Sequence, residues 1–434
     1  MSTLIQTGLN AGKSSGIKVV GGEGVYFHLE DGRHVLDASN TGGPLGHRHP
    51  DMVEAVRKAA ESPVINEGWF WSEREKAADD VIDIVCEGEK EWAAGVRFFL
   101  SGSEANDMAL SLAQVLTGRK PLATRTRAYH GMAGVSQHLT VQPQWHGGLS
   151  VQNGKSRPVP NPFDVRQLPE PVGAKYGAMS TNLSSLERLK DAEKILDGVA
   201  ATIIDYTQGG IYYDAAYQDR VAEAARNVGS LWIADEVVTG AGRIGRMFAF
   251  QGGTSRPDIV TMGKGLAGGS SPVGAVVLSK DIVETLKGKS WQTYSTLRGH
   301  PLTMSCVRAY LRVLKRDNLI ERVKHLEGIL ERRLLEIAAR HPSVARVDGN
   351  GLHWTVELHG PDWRTWENNS AEIPIASRVS NRALEAGALI GTSSEQISLF
   401  LAPAFTITEI ELEGILGALD HGLDIADAEH GRAA

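Results

Sequence analysis

Short apolar runs return along the middle of this chain, at 96–100, 200–204, 231–234, 258–262 and 273–278, with helical stretches such as 104–116 and 217–227 between them. Runs this short and this continuous read as strands buried on both faces. Strands that alternate with helices predict an α/β fold, a mainly parallel sheet of the seven-stranded type covered on two sides. Within 104–116, Ala105, Met108, Leu112 and Val115 recur at helical spacing and are expected to face the core. A chain of 434 residues with 42% apolar content can bury such a sheet and a second domain as well.

The flanks read differently. Val25 to Asp37 alternates around Asp31-Gly32 and predicts a hairpin. A Gly- and Pro-rich loop follows at 40–50, then helices at 51–61 and 72–86. Residues 140–180 are rich in Gln, Gly, Pro and Asn and are expected to form a long loop. Beyond 303 the pattern predicts one long helix to roughly 340, a strand near 351–358, strand-like segments at 388–391 and 397–401, and a last helix from about 407 to 425. The expected division is a large domain over 51–302 and a smaller α+β domain built from the N-terminal segment 1–50 and the C-terminal segment 303–434.

A net charge of −7 argues against general affinity for nucleic acid or acidic membranes. The two cysteines, Cys86 and Cys306, are too few for a disulfide framework and read as packing residues. The first ten residues lack a basic stretch followed by an apolar core, and no run reaches the length of a membrane span. The expectation is a cytoplasmic protein.

Two charges stand at the ends of buried runs. Asp235 closes Leu-Trp-Ile-Ala-Asp, and Lys264 follows Asp-Ile-Val-Thr-Met-Gly, 29 residues later. A charge in that position is costly unless paired. An Asp and a Lys on neighbouring strand ends suit pyridoxal phosphate, the lysine forming a Schiff base with the aldehyde and the carboxylate pairing with the pyridinium nitrogen. Ser101-Gly-Ser-Glu-Ala, between the run 96–100 and a helix, has the spacing of a capping box and would present free N–H groups and a helix dipole to a phosphate. Tyr129 lies where an aromatic ring could cover a cofactor. Gly240-Ala-Gly-Arg-Ile-Gly245 matches the dinucleotide fingerprint letter by letter, but no long helix can follow it, and Asp235-Glu236 would crowd a pyrophosphate. His47 and His49 lie in a Gly/Pro loop without a third ligand, so no metal site is expected.

Taken in order, these motifs resemble those of the class III aminotransferases, pyridoxal-phosphate enzymes of fold type I. Gly24 to Asp37, Gly46-His-Arg-His-Pro50, Ser101-Gly-Ser-Glu-Ala-Asn106, Thr117-Gly-Arg119, Tyr129-His-Gly131, Gln208-Gly209, Asp235-Glu-Val-Val-Thr-Gly-Ala-Gly-Arg243, Lys264-Gly265 and Thr296-Leu-Arg-Gly-His-Pro301 carry the likeness. The resemblance implies pyridoxal 5'-phosphate as cofactor and a ping-pong exchange of an amino group between an amine or amino acid and a keto acid or aldehyde. It implies that Lys264 is anchor and general base and that Asp235 keeps the ring nitrogen protonated. Gly102 and Ser103 would hold the phosphate, Val237 and Tyr129 cover the ring faces, Gln208 meet the ring hydroxyl, and His130 serve as a hydrogen-bonder beside them. Thr296 would reach the phosphate of a second subunit, which implies a homodimer with active sites at the interface.

The sequence departs from that pattern at two places. Phe400, in Ser398-Leu-Phe-Leu-Ala-Pro-Ala404, stands where the family often carries an arginine that grips a substrate carboxylate. Asp205-Tyr206 replaces the Glu-Pro before Gln208, the Glu being often that arginine's partner. Phenylalanine cannot supply a bidentate grip. Arg298 is a candidate substitute, and Trp69, with Phe70 and Trp71, a candidate substrate wall. An aminomutase of the glutamate-1-semialdehyde type or an amino-acid epimerase would use the same core residues.

Overall fold

The computed structural model describes residues 17–142, 145, 147–150, 156–359, 373–393 and 396–433. Seven strands form its main sheet: β1 (Ala93–Phe99), β2 (Leu122–Arg125), β3 (Val165–Leu168), β4 (Ala201–Asp205), β5 (Leu231–Asp235), β6 (Ile259–Gly263) and β7 (Gly274–Ser279). Their order across the sheet is β1-β7-β6-β5-β4-β2-β3. Only β7 runs against the others. β2, β4, β6 and β7 are buried at every position, and in β4, β6 and β7 this accounts for a largely apolar sequence.

Because β1, β4, β5 and β6 are mutually parallel, their C-terminal ends meet at one edge, the usual place for a ligand in an α/β sheet. Asp235 pairs in register with Asp205 on one side and with Thr261 on the other. Helix α1 (Gly102–Thr117) leaves β1 at this edge and stops at Gly118, whose φ of 68° is left-handed. Ala105, Ala109, Leu112 and Ala113 form its buried face. Val115, expected in the core, is 79% exposed. The periodic stripe is there, but alanines fill most of it, and the period alone placed Val115 on the wrong side.

Three other expectations change. The long helix beyond 303 is two helices, Pro301–Arg316 and Leu319–Arg340, because Asn318 takes a left-handed φ of 48° between them. The helix over 72–86 is α-helical only over Ser72–Asp80 and continues as a π-turn over Val81–Val85. The supposed loop 140–180 contains β3, an edge strand of the main sheet, and a small hairpin of Leu149–Ser150 with Ser156–Arg157. Residues 143, 144, 146 and 151–155 of that stretch, like 1–16 of the N-terminal segment, lie outside the described residues.

The chain ends combine. Val19–Glu23, Tyr26–Leu29 and His34–Asp37 form the expected hairpin sheet, which Ala388–Leu389 joins in parallel. A second antiparallel sheet runs Val344–Asn350, His353–Leu358, Ser398–Leu401, Gly391–Thr392. It carries Phe400 toward the same edge of the main sheet. Both cysteines are buried, and burial pushes their thiols up to about 12 and about 11, so they remain inert packing groups.

Candidate active site

Two cavities, of about 240 and 250 Å³, open at this edge and share Tyr129, Thr207, Gln208, Val238 and Lys264. Together they fall in the size range of small-molecule sites, roughly 300–1,000 Å³.

The first is walled by settled charge. Asp235 is buried, and its Oδ2 accepts from His130 Nδ1 and Asn106 Nδ2, each at 2.8 Å, while Oδ1 accepts from the Val237 N–H at 3.1 Å. A carboxylate only accepts, so the network assigns the imidazole proton to Nδ1. Thr124 Oγ1, 2.8 Å from Nε2, completes the ring's partners. Asp205 stands beside Asp235, and two adjacent carboxylates would repel. Fully buried Arg125 answers Asp205 with Nη2 and also donates to Tyr213 Oη, at 2.9 Å, and to the Thr126 and Gln208 carbonyls. Asp205 also accepts from the Tyr129 and Gln208 N–H groups.

Lys264 follows β6 with a φ of 40°, a left-handed backbone that costs a non-glycine residue on the order of 1–3 kcal/mol. It is the junction of the two cavities. Burial lowers the pKa of its ammonium, against the opposing pull of Asp235 and Asp205. A lowered pKa leaves more of the free amine, the form that attacks an aldehyde.

The start of α1 supplies a cradle. Ser101 Oγ accepts from the Glu104 N–H at 3.2 Å, as its spacing predicts. Glu104 reciprocates one residue early, taking the Leu100 N–H at 2.7 Å. The Gly102 and Ser103 N–H groups have no acceptor within the helix, by the geometry of a helix start. A Cβ on Gly102 would sit 2.6 Å from Val237 Cγ1, and one on Gly274 would sit 2.1 Å from the Ser101 carbonyl. Only glycine lets the helix start come this close to the strand ends.

This donor set fits pyridoxal phosphate. Unpaired N–H groups and a helix dipole suit the phosphate, Asp235 the ring nitrogen, Lys264 the aldehyde, and Tyr129 and Val237 flank the space between.

The second cavity is walled by rings. Phe400 pairs in register with Thr355 and stacks on His353, with ring centroids 6.1 Å apart and planes 6° from parallel. A Cβ on Gly391 would meet Phe400 Cζ at 2.3 Å, so glycine there makes room for the ring. His353 Nδ1 lies 2.5 Å from Tyr212 Oη, which is 3.2 Å from Thr355 Oγ1. Burial, with the nearby charges of Arg243 and Lys264, pushes the His353 pKa down to about 3 and keeps the imidazole neutral.

Of the residues singled out in the sequence, Gly102, Ser103, Tyr129, His130, Gln208, Asp235, Val237 and Lys264 line the first cavity, and Phe400 lines the second. Thr296 and Trp69 line neither, and Trp69 is 63% exposed. Arg298 is buried, bonded to Glu104 by Nε and Nη2 and stacked over Phe99 at 4.7 Å, and it lines neither cavity of its own chain. His47 faces Asp37 and His49 faces Asp51. No helix starts inside Gly240–Gly245; a single 3-10 turn follows at Ala249–Gly252, as the argument against a dinucleotide required. Arg125, Tyr212 and His353 carried no signal. Asn106 did, since it closes the Ser101–Asn106 motif.

The aminotransferase class-III family profile matches residues 10–423. An acetylornithine aminotransferase of Mycolicibacterium smegmatis is 31% identical over 421 residues, 94% of each chain. A protein of Caenorhabditis elegans named ethanolamine-phosphate phospho-lyase homolog 1 is 31% identical over 77% of this chain and 73% of its own. A solved S-selective transaminase from Arthrobacter sp. superposes with a TM-score of 0.88 at 27% identity, covering 99% of this chain and 97% of its own. Another, from Bacillus megaterium, gives 0.88 at 28% identity, over 98% and 97%.

Proposed function

We propose that this chain, which belongs to the class-III aminotransferases and is a pyridoxal-phosphate-dependent aminotransferase, takes its amino group from amines without a carboxylate beside the reacting carbon. The observation that carries the reading is Phe400. It fills the wall where a carboxylate grip would stand, and among the described residues Lys264 is the only cation lining that cavity.

In this reading the cofactor, when bound, supplies an electron sink. The chain does the rest. The Gly102 and Ser103 N–H groups hold the phosphate, and Gln208 meets the ring hydroxyl. Asp235, oriented by His130 and Asn106, holds a proton on the ring nitrogen. Lys264 Nζ would hold the aldehyde and, as a free amine, would take the proton from the donor carbon. A keto acid or aldehyde later accepts the amino group by the reverse route. Two chains would form a dimer: Trp69, Phe70, Tyr294 and Leu297 are exposed apolar residues on segments joined by the Ser295 N–H to Glu67 bond, and Thr296 lies among them. Among the described residues no helix is long and apolar enough to cross a membrane; we assign the enzyme to the cytoplasm.

The test follows the visible band of the lysine-bound cofactor as donors are added singly: a simple amine, an ω-amino acid, alanine, glutamate and phosphoethanolamine. The amine should bleach it fastest. Faster bleaching by glutamate or alanine would overturn the donor class. A band that persists while an amino acid loses its handedness would favour the epimerase, and one that persists while an amino group migrates within its substrate the aminomutase. Release of phosphate and ammonia from phosphoethanolamine would favour an elimination like that named for the nematode relative.

A further inference from the structure

The wall around Phe400 contains a polar atom that none of the assigned roles uses. Tyr212 Oη stands 2.5 Å from His353 Nδ1. With the phenol donating to Nδ1 and Thr355 Oγ1 donating to the phenol oxygen, both hydroxyl protons have an acceptor; in the reverse order the Thr355 proton has none among the described residues. The phenol therefore donates and Nδ1 accepts. Thr355 Oγ1, 3.2 Å from Tyr212 Oη, can donate in turn to the phenol oxygen. With Nδ1 a lone pair and the ring neutral, the proton sits on Nε2. Among the described residues Nε2 has no hydrogen-bond partner, and His353 lines the second cavity beside Lys264. The other rings lining it are Phe400, which stacks on His353, and Tyr129 with Trp145, edge to face at 5.4 Å.

We propose that His353 is a specificity-determining residue: its Nε2–H, aimed by Tyr212 and Thr355, hydrogen-bonds an uncharged oxygen acceptor on a substrate whose apolar or aryl arm lies against Phe400. The wall replaces a cationic clamp with a neutral donor set among rings. An ether or carbonyl oxygen within that arm satisfies it. A carboxylate gains little, because it would lose its hydration without meeting a countercharge. This deepens the amine-donor reading and rests on it only for the reaction, not for binding at the wall.

The experiment uses two isosteric pairs on the cofactor-loaded enzyme. The alcohols 2-phenoxyethanol and 3-phenylpropanol differ by one oxygen for one methylene and cannot react as amines. The amines 2-phenoxyethylamine and 3-phenylpropylamine differ in the same way. Wild type should bind the phenoxy alcohol roughly 2- to 10-fold more tightly, the worth of one neutral hydrogen bond, and show a similar ratio in kcat/KM for the amines. His353→Phe, which keeps a ring against Phe400, should bring both ratios to about one, His353→Gln should restore part of the preference, and Tyr212→Phe, which keeps His353 but releases its tautomer, should shrink it. Equal binding of the alcohols in wild type, or an oxygen preference that survives His353→Phe, would overturn the proposal. If the alcohol ratio behaves as expected while neither amine bleaches the cofactor band, the wall stands and the donor class fails.

Discussion

The wall proposed to face the cofactor and the wall proposed to face the substrate use polar groups in opposite ways. On the first, Asp235 has three donors and Asp205 an arginine, so the charges are paired before any ligand arrives. On the second, the polar atoms are neutral, His353 is kept uncharged by burial, and one donor faces open space. The first wall is built to hold a fixed group with fixed charges, the second to accept a variable one. A site that must stabilise charge gains from preorganised donors and counterions. A site that chooses among apolar arms gains from shape and from a single unpaid hydrogen bond.

The comparison can be broken at its seam. Lys264→Ala should abolish turnover and the lysine-bound cofactor band while circular dichroism stays native; turnover near that of wild type would end the assignment of the seam. Next in size, Arg125→Met should destabilise the protein by about 3–5 kcal/mol, because it leaves Asp205 buried without its counterion. A denaturant midpoint equal to wild type would mean that the first wall does not depend on that pair. Phe400→Arg, on the second wall, should move specificity instead, raising the glutamate half-reaction roughly tenfold by a charge-assisted grip and slowing the simple amine. Bleaching rates with the two donors measure it, and an unchanged ratio would show that the wall does not choose.

The remaining effect concerns Asp348, on the strand Val344–Asn350 that pairs with the strand of His353. Burial raises its pKa from 3.8 to about 7, although Arg346 pulls the other way. The folded state thus keeps a proton that the unfolded state has already lost between about pH 4 and 7, and stability falls as pH rises through that window. Asp348→Asn cannot ionise and can still accept the Gly349 N–H at Oδ1. It should melt higher than wild type at pH 8, by up to a few kcal/mol in stability, and nearly equal at pH 4. An equal gain at both values would mean that packing, not ionisation, is responsible.

Much of the first wall was legible because its residues sit in short motifs with local causes. Ser101 caps a helix, Asp235 ends a buried strand, and Lys264 follows another. The second wall was legible only as a departure, the phenylalanine at 400. Its partners come from separate stretches: Tyr212 and His353 are 141 residues apart. Arg125 reaches Asp205 across 80 residues, and no local pattern announces which of many arginines will be buried. Arg298 meets Glu104, 194 residues away, a pairing that no local pattern announces.

The sequence by itself determined the strand–helix rhythm, the family, the cofactor and the two charges proposed to serve it, since periodicity and strand-end chemistry are properties of neighbours in the chain. Tertiary structure alone decided the break at Asn318, the capture of Arg298, the exposure of Trp69 and the ring-lined wall around His353. Each of these depends on which distant side chain arrives first at a shared space, and the free energy of that meeting is set by burial and pairing, not by the order of residues.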